Sequence, residues 1–123
     1  MRRRGPSVLE RRVSSIDPNQ IAICSVVLAE LLVGAYRSDQ REKNFADIKE
    51  LQKLFQSLPF DDSAASEFAD IGAGLIRRGK KIGHNVLMIA AIARSAALIV
   101  VTHNSHEFDR VANLKCEDWQ TAP

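Results

Sequence analysis

The run Leu98-Ile99-Val100-Val101 constrains the fold of this chain more than any other segment. Four consecutive apolar residues, three of them β-branched, predict a strand that is buried on both faces. Such strands occur mainly in parallel sheets that are covered by helices. A second apolar strand is predicted at Ile21–Cys24, and helical patterns follow it. The sequence therefore predicts α/β layers around a central parallel sheet.

Helical patterns fill most of the remaining chain. Five helices are predicted, over residues 7–14, 25–37, 39–56, 61–78 and 85–95. Their predicted boundary residues are Ser25, Asp39, Asp61 or Asp62, and Asn85 as N-caps, with Gly79 after the fourth helix. Only two strands are convincing, with weaker candidates at 58–60 and 114–119. Either the fold is mostly helical, or a strand is missing from this chain.

The length of 123 residues predicts one domain over 1–123, with residues 1–6 flexible. No apolar run reaches the ~18 residues that a membrane-spanning helix needs. The charged N-terminus has no apolar segment behind it that would make it a secretory signal. Cys24 and Cys116 form no short-spaced motif. We therefore expect reduced thiols and a cytoplasmic protein with no membrane partner.

Basic residues are concentrated in two short segments. Five arginines and one glutamate lie within residues 1–12, and Arg77-Arg78-Gly79-Lys80-Lys81 forms the second segment. Two interpretations stay open. The side chains either form a solvated surface or contact the phosphates of a nucleic acid. Charge alone does not decide between them.

Glu30 is the first candidate for a functional residue. It lies in the segment SVVLAELLVGAY, where nearly every direction around the predicted helix is apolar. Because an unpaired ionised carboxylate is costly to bury, Glu30 needs a cation, a metal ion or hydrogen-bond donors. An ion pair with an arginine such as Arg94 is one interpretation, and a place in a functional site is the other.

A second group of candidates follows the strand predicted at 98–101. Thr102, Asn104 and Glu107 come just after its carboxyl end. Ligands bind at the carboxyl ends of strands in open α/β sheets, so these residues are candidates for a site. The alternative is a loop whose polar side chains bond to its own backbone.

The three histidines do not predict a zinc site. His103 and His106 are three residues apart in a loop, and His84 is distant in sequence. This is not the helical H-E-x-x-H spacing of zinc proteases. The sequence also contains no P-loop, no G-x-G-x-x-G fingerprint and no serine elbow.

Four segments in this order resemble the VapC-type toxins of the PIN-domain family. They are IAICSVVLAELLVGAYRS, FQSLPFDDSAASEFADIGAGLIRRGKKIG, LMIAAIARSAALIVVTHNSHEFDRV and LKCEDW. The resemblance extends over about residues 7–120, and several motifs that agree in order and spacing are more specific than one. It implies a PIN-like three-layer α/β fold with a central parallel sheet.

The resemblance also implies an activity. Family members are Mg²⁺- or Mn²⁺-dependent endoribonucleases that act on RNA and are inhibited by a cognate antitoxin protein, and a homodimer is suggested. Their acidic residues gather around one or two divalent ions. Mg²⁺ prefers oxygen ligands in octahedral geometry. When bound, it can activate water and stabilise charge during attack on a phosphodiester.

Individual residues match the family's motifs. The acid of the A-E-L-x-x-G motif matches Glu30. The strand-end segment, with an acid before phenylalanine, matches Thr102, Asn104 and Glu107, followed by Phe108. The resemblance therefore implies Glu30 and Glu107 as catalytic, metal-binding acids. Asn104 would be a neutral metal ligand, and Thr102 would lie beside the site.

Two departures from the family weaken that site. The pattern I-G-x-x-D-x-x-I-A-A reads IGHNVLMIAA here, so Val86 replaces a metal-binding aspartate. Asn85 has an amide oxygen, but it precedes that position. Family members also begin with an apolar strand that ends in an aspartate, and this chain starts too late to contain it. We expect a truncated, degenerate copy, unless the start has been assigned too far downstream.

Three functional hypotheses follow. The first is a metal-dependent ribonuclease toxin with weak metal binding and strongly reduced cleavage, because two acidic ligands are absent. The second is a non-catalytic module that binds an antitoxin or RNA, with apolar helices in the region 26–55 as the protein-binding face. The third is a remnant that folds poorly. Whether this chain is an enzyme is left open by the sequence.

Overall fold

The computed structural model describes residues 15, 17, 21–102 and 104–118. Within them lie five helices and four short strands: β1 (Ala22–Cys24), α1 (Ser25–Tyr36), α2 (Arg41–Leu54), β2 (Gln56–Leu58), α3 (Asp62–Arg77), α4 (His84–Ser95), β3 (Val100–Val101), α5 (Ser105–Phe108) and β4 (Cys116–Glu117). The helix predicted over 7–14 and the flexible segment predicted at 1–6 lie outside the described residues.

The core of the molecule lies between α3 and α4. Ala64 on α3 and Ala90 and Ala91 on α4 are fully buried at 0% exposure. Small side chains let two helix backbones approach closely, so this pair forms the most extensive helix–helix contact. Larger side chains from both helices and from the elements after them complete the cluster: Ile71, Leu75, Val100, Phe108 and Val111.

Arg94 ties α4 to α3 and to the chain after α5. Its guanidinium donates to Glu67 at 2.6 Å, to Asp70, and to the carbonyl of Ala112 at 3.0 Å. Burial by itself lowers the pKa of Arg94, but the hydrogen bonds and charges of Asp70 and Glu67 outweigh it. The pKa of Arg94 therefore lies above its ordinary value, and the side chain stays cationic.

Both ends of α3 confirm the sequence prediction. The Asp61 carboxylate accepts a hydrogen bond from the Ala64 N–H at 3.0 Å, as an N-cap does. Gly79 has a φ of +66°, which is the left-handed conformation expected one residue beyond the C-cap, Arg78. The Lys80 N–H closes this turn on the Leu75 carbonyl at 2.9 Å.

Three of the four predicted N-caps are wrong: those of α1 and α2 are described here, and that of α4 is described with the site. Helix α1 begins at Ser25 itself, and its N-cap is Cys24, which has no side-chain cap bond. Because β1 runs directly into α1, Ser25 already has a helical backbone and cannot cap. For α2 the N-cap is Gln40 rather than Asp39.

The strands form two separate parallel pairs. In one, β1 lies beside β2 with Ala22 opposite Gln56, and in the other β3 lies beside β4 with Val100 opposite Cys116. The weak strand candidates at 58–60 and 114–119 thus correspond to strands that lie at Gln56–Leu58 and Cys116–Glu117. Both are too short and too polar to be convincing in the sequence.

The strand predicted at 98–101 contains only Val100 and Val101. The prediction that it is buried on both faces is wrong for most of it. Leu98, Ile99 and Val101 are 39%, 48% and 41% exposed, whereas Val100 is 7% exposed. Among the residues that the structure describes, β3 has one neighbouring strand, β4, and its other edge has none.

An apolar cavity separates the two pairs of strands. Its volume is about 220 Å³, and β1 and β3 both line it. Every described lining residue is apolar: Ala22, Ile23, Cys24, Val27, Leu58, Ile89, Ile92, Ala93, Leu98, Ile99, Val100 and Val101. We refer to this cavity as the interstrand slot.

The edge of β3 that faces away from β4 has main-chain groups available for pairing. The N–H groups of Val100 and Thr102 donate to Lys115 and Glu117, at 2.9 and 3.0 Å. Successive residues of a strand direct their N–H and C=O groups to alternate edges. The peptide groups of Val101 therefore point away from β4, toward the interstrand slot.

Candidate functional site

Two carboxylates lie at the N-terminal end of α4. Glu30 reaches this end from α1, and Glu107 reaches it from α5. The first four N–H groups of a helix have no partner within the helix, and the helix dipole places partial positive charge there. This end of α4 is therefore a favourable place for two acidic side chains.

Glu30 is held by an amide rather than by an arginine. The Asn85 Nδ2 group donates to Glu30 Oε1 at 3.2 Å. The ion pair considered between Glu30 and Arg94 does not form, because Arg94 binds Glu67 and Asp70. Glu30 is exposed to a groove of about 540 Å³ whose described lining is Ser25, Val26, Ala29, Glu30, Val33, Asn85 and Met88.

The position of Asn85 corrects a prediction about α4. The helix begins at His84, and its N-cap is Gly83, so Asn85 is the second helical residue and does not cap. Its side chain is instead directed across to α1. The Asn85 Nδ2 group donates to the Glu30 carboxylate, whereas an N-cap side chain would accept from a helix N–H.

Glu107 holds the start of α4 from the opposite side. Its Oε2 atom accepts a hydrogen bond from the Gly83 N–H at 2.9 Å. A Cβ built on Gly83 would lie 3.4 Å from the same oxygen and 3.7 Å from Val86 Cγ2. Glu107 and Val86 therefore flank Gly83, and Glu107 is anchored to the same helix end as Glu30.

Val86 is the third residue of α4 and directly follows Asn85, the residue that bonds Glu30. It is half-buried and packs against the core cluster. An aspartate at this position would add a third carboxylate to the same helix turn. Valine adds none, and it extends the apolar core up to the edge of the site.

Thr102 and Asn104 lie on the segment that leads from β3 into α5. The Asn104 N–H donates to Thr102 Oγ1 at 2.9 Å, so part of this segment satisfies its own backbone. Asn104 occupies the N-cap position of α5, but its side chain makes no cap bond there. Its exposed amide stands three residues before Glu107 on the same turn of chain.

The described residues contain no group of three or more histidine, cysteine or acidic side chains placed to hold a metal ion. Among the sequence candidates, the structure brings Glu30, Asn85, Val86 and Glu107 together around one helix end. It describes no contact between Asn104 and either carboxylate. His103 lies outside the described residues.

Sequence reasoning missed the interactions that connect α5 to the segment before α4. Arg110 donates to the Lys81 carbonyl, and Arg78 donates to the Arg110 carbonyl at 2.8 Å. Arg110 is not part of any motif, and it lies 29 residues from Lys81. The basic segment Arg77–Lys81 was the available signal, but it did not show where in the fold the charges lie.

The PIN-domain family model matches residues 2–114 of the chain. The chain belongs to the PIN-domain family. The α/β fold implied by the resemblance is therefore confirmed. The matched range includes both segments that bring carboxylates to α4, the one with Glu30 and the one with Glu107.

Curated PIN-domain relatives are VapC ribonucleases. The chain is 41% identical over 113 residues to the tRNA(fMet)-specific endonuclease VapC of Shigella flexneri, covering 92% of this chain and 84% of that protein. It is 38% identical over 103 residues to ribonuclease VapC2 of Haemophilus influenzae, covering 84% of this chain and 78% of the relative. The predicted likeness to VapC-type proteins is confirmed.

Solved structures of the family superpose closely on this fold. VapBC-1 from nontypeable Haemophilus influenzae matches with a TM-score of 0.85 and 30% identity, over 94% of this chain and 87% of that one. DNA-bound VapBC from Salmonella typhimurium matches with a TM-score of 0.86 and 34% identity, over 93% and 86% of the two chains. Both are structures of VapBC complexes.

Of the helices that the structure describes, none is both long enough and apolar enough to cross a membrane. The longest of them, α3, has 16 residues.

Proposed function

We propose that this PIN-domain protein is a VapC-type endoribonuclease toxin with reduced activity, neutralised by a cognate antitoxin. One observation supports the reaction most directly. Glu30 and Glu107 come from two separate elements and are both bonded to the first turn of α4. Two acids at one helix end can supply the oxygen ligands that a divalent cation prefers.

The donor set fits Mg²⁺ or Mn²⁺ in type but not in number. Carboxylate and amide oxygens are ligands that hard cations prefer. Glu30, Glu107 and the exposed Asn104 amide would hold the ion. Only two of these groups are ionised, and each carboxylate also accepts a hydrogen bond from Asn85 or Gly83. We therefore propose weak binding of the metal.

When bound, a divalent ion supplies Lewis-acid chemistry that activates water and offsets charge on the phosphate. The chain's own residues have separate tasks. Asn85 and the Gly83 N–H orient the two carboxylates, and the N-terminal N–H groups of α4 add partial positive charge beside the phosphate. Loss of ~4 kcal/mol of transition-state stabilisation would lower the rate about a thousandfold.

Cleavage of a structured RNA in the presence and absence of Mg²⁺ tests this function. An initiator tRNA is the first substrate to try, because one relative is named as specific for tRNA(fMet). Glu30→Gln should abolish any metal-stimulated cleavage. Glu50→Gln, an exposed acid on α2, is the matched control and should cleave as the unaltered chain does. Equal cleavage by both variants would point to a contaminating nuclease.

A non-catalytic binding module is the second candidate function. It is favoured by the replacement of an acid by Val86, and by exposed apolar side chains on the first two helices. Val33, Tyr36 and Leu54 are 55%, 61% and 59% exposed. Tight antitoxin binding together with no metal-stimulated cleavage, even at high enzyme concentration, would favour this candidate over the first.

The partners and location that we propose follow from the family. VapBC structures that resemble this chain are complexes with an antitoxin, so an antitoxin is proposed for the apolar surface of α1 and α2. RNA is the proposed substrate, and a homodimer is the proposed assembly. The cytoplasm is the proposed location, which agrees with the free thiols of Cys24 and Cys116.

We also propose that the interstrand slot is the place of the first family strand. The slot lies between β1 and β3, its described lining is apolar, and the peptide groups of Val101 face it. A strand there would join the two parallel pairs into one sheet. Its carboxyl end would then add an acid at the same edge of the sheet as Glu107. Translation of the DNA upstream of Met1 is the direct check.

A further inference from the structure

A cluster of basic residues lies where the chain after α3 is hydrogen-bonded to the residues after α5, close in sequence to the Gly83 N–H that bonds Glu107. Its members, which we call the basic rim, are Arg77, Arg78, Lys80, Lys81 and Arg110. The first four are exposed, and Arg110 is half-buried. They come from two places in the sequence, the end of α3 with the turn that follows it and the residues just after α5, so only the fold assembles them.

The turn after α3 fixes the direction of the rim. Gly79, at a φ of +66°, donates to the Ile76 carbonyl at 3.1 Å, and Lys80 donates to the Leu75 carbonyl at 2.9 Å. These two bonds form the glycine-terminated helix ending that reverses the chain direction. The lysines therefore leave α3 in one defined direction and lead to Gly83.

Three hydrogen bonds then hold the rim against α5. Arg78 Nη2 donates to the Arg110 carbonyl at 2.8 Å, and Arg110 Nη1 donates to the Lys81 carbonyl. The third is the bond from the Gly83 N–H to Glu107. Gly83 follows Lys81 by two residues, so the chain that forms the rim leads directly to a residue that bonds a candidate catalytic acid.

The charges of the rim are not neutralised in the described part of the chain. Arg78 and Arg110 bind carbonyl oxygens, which have no net charge. By contrast, Lys43, Lys53 and Arg94 each bind a carboxylate. No ion pair within 4.0 Å joins a rim residue to an acid among the described residues. The rim is therefore a concentrated positive surface next to two acids.

A positive surface beside acidic residues can offset the repulsion between those acids and the phosphates of a nuclease substrate. Two carboxylates repel the phosphates of an incoming RNA, and weak metal binding would leave that repulsion only partly compensated. Lysine and arginine side chains attract phosphates and release condensed counterions. Contacts of this kind position a nucleic acid without reading its sequence.

We infer that the basic rim binds the phosphodiester backbone of RNA next to the bond presented to Glu30 and Glu107. The inference rests on the proposed ribonuclease function, because that function supplies the RNA. Lys80 and Lys81 are the contacts open to test. Their side chains make no described hydrogen bond, so their removal should leave the fold intact. Arg78 and Arg110 hold the rim in place and are left unchanged.

The test compares two double variants of equal charge. Lys80→Ala/Lys81→Ala removes two rim lysines, and Lys43→Ala/Lys53→Ala removes two exposed lysines of α2. Binding of a labelled tRNA is measured by fluorescence anisotropy in EDTA, at KCl concentrations from about 50 to 200 mM. The rim variant should bind about tenfold more weakly at the lowest salt, with a salt slope smaller by about 1.5. The α2 variant should stay within about twofold of the unaltered chain.

Several results would overturn the inference. Equal losses in both variants would show that only net charge matters, and no loss in either would show that the rim makes no contact. Displacement of the tRNA by polyglutamate as readily as by unlabelled RNA would reject a nucleic-acid site. Binding is measured without metal and without cleavage. If the protein does not cleave RNA but the rim variant alone binds tRNA more weakly, the proposed ribonuclease activity is disproved. The assignment of the basic rim as an RNA-binding surface then still stands.

Discussion

At the scale of single residues, Val86 has the largest consequence for chemistry. Its side chain occupies the turn of α4 to which both carboxylates are bonded. An aspartate here would add a third anionic group and would also suit the positive end of the helix. The valine adds no anionic oxygen to this helix end.

We predict that Val86→Asp raises both Mg²⁺ affinity and RNA cleavage, each by about tenfold or more, since a tenfold change needs only about 1.4 kcal/mol. Isothermal titration calorimetry measures the affinity independently of activity. Val86→Asn is the control, because it has a similar shape and no charge, and it should gain little. Similar gains for Asp and Asn would show that volume rather than charge is limiting.

Cys116 is a second residue whose surroundings set its chemistry. Burial, together with the hydrogen bond to Asp109 at 3.1 Å and the charge of that carboxylate, raises the pKa of Cys116 to about 11. Only the thiolate is a nucleophile, so this thiol should react slowly at neutral pH. In the unfolded chain the pKa of Cys116 is lower than in the folded protein. The thiol therefore contributes stability that is fully present below the unfolded-state pKa and is lost as the pH rises toward about 11.

We predict that Asp109→Asn lowers the pKa of Cys116 and speeds its alkylation severalfold at about pH 9, because the negative charge is removed. Iodoacetamide labelling followed by mass spectrometry across a pH series measures this, in a Cys24→Ala background. Glu117→Gln, next to Cys116 in sequence, is a control that should change the rate less. An unchanged pH profile in Asp109→Asn would assign the slow reaction to burial alone.

At the scale of elements, Arg94 is the main polar tie between α3 and α4. The guanidinium binds two acids on α3 and a carbonyl after α5, and its side chain is only 13% exposed. Removing one partner of a sheltered charge network leaves the others poorly compensated. The ion pairs of α2, such as that between Lys53 and Glu50, are exposed and should contribute little.

We predict that Arg94→Ala lowers the free energy of unfolding by about 1–3 kcal/mol. Lys53→Ala should change it by less than about 1 kcal/mol. Urea unfolding followed by circular dichroism gives both values. Arg94→Lys should recover part of the loss, because a lysine has a charge but cannot make three directed bonds at once. Equal losses for Arg94→Ala and Lys53→Ala would contradict this ranking.

The interstrand slot is the second feature at this scale. Leu98, Ile99 and Val101 are each partly exposed along one strand edge, and that edge has peptide groups without a neighbouring strand in the described chain. An unpaired apolar edge is a template for another strand.

We predict that an apolar five-residue strand fused ahead of Met1 stabilises the protein by about 1–3 kcal/mol, from the apolar surface it would cover. The same extension with a central proline is the control, since proline has no N–H to donate to a neighbouring strand. Thermal unfolding and binding of an apolar dye measure the effect. Equal stabilisation by both extensions would show that the slot does not accept a paired strand.

At the scale of the whole molecule, metal binding and folding stability are linked. Any ligand that binds only the folded state raises its stability by RT ln(1 + L/Kd), where L is the free ligand concentration. We predict that 10 mM Mg²⁺ stabilises the chain by less than about 0.5 kcal/mol, which corresponds to a Kd near or above 10 mM. Thermal unfolding with and without Mg²⁺ tests this. A shift of several degrees in the unaltered chain would mean that two carboxylates suffice.

Much of the fold could be predicted from the sequence. The α/β class, both ends of α3 and the positions of α1 to α4 followed from local patterns, and the family followed from the resemblance of several segments to known motifs. Local patterns suffice there because capping, glycine turns and apolar periodicity act over a few residues. The strand at 98–101 was predicted too long and too buried, because burial depends on which strands lie alongside it, and those are distant in sequence.

The sequence by itself determined which residue types are present for chemistry: two acids in family motifs, an asparagine where an acid would add charge, and a valine in place of an aspartate. Only the tertiary structure decided that Asn85 holds Glu30 instead of capping α4, that Arg94 binds Glu67 and Asp70, and that Arg110 joins the rim. These outcomes depend on distances between side chains that are 18 to 55 residues apart in the chain. Such distances are set by how the helices pack, and no local pattern encodes them.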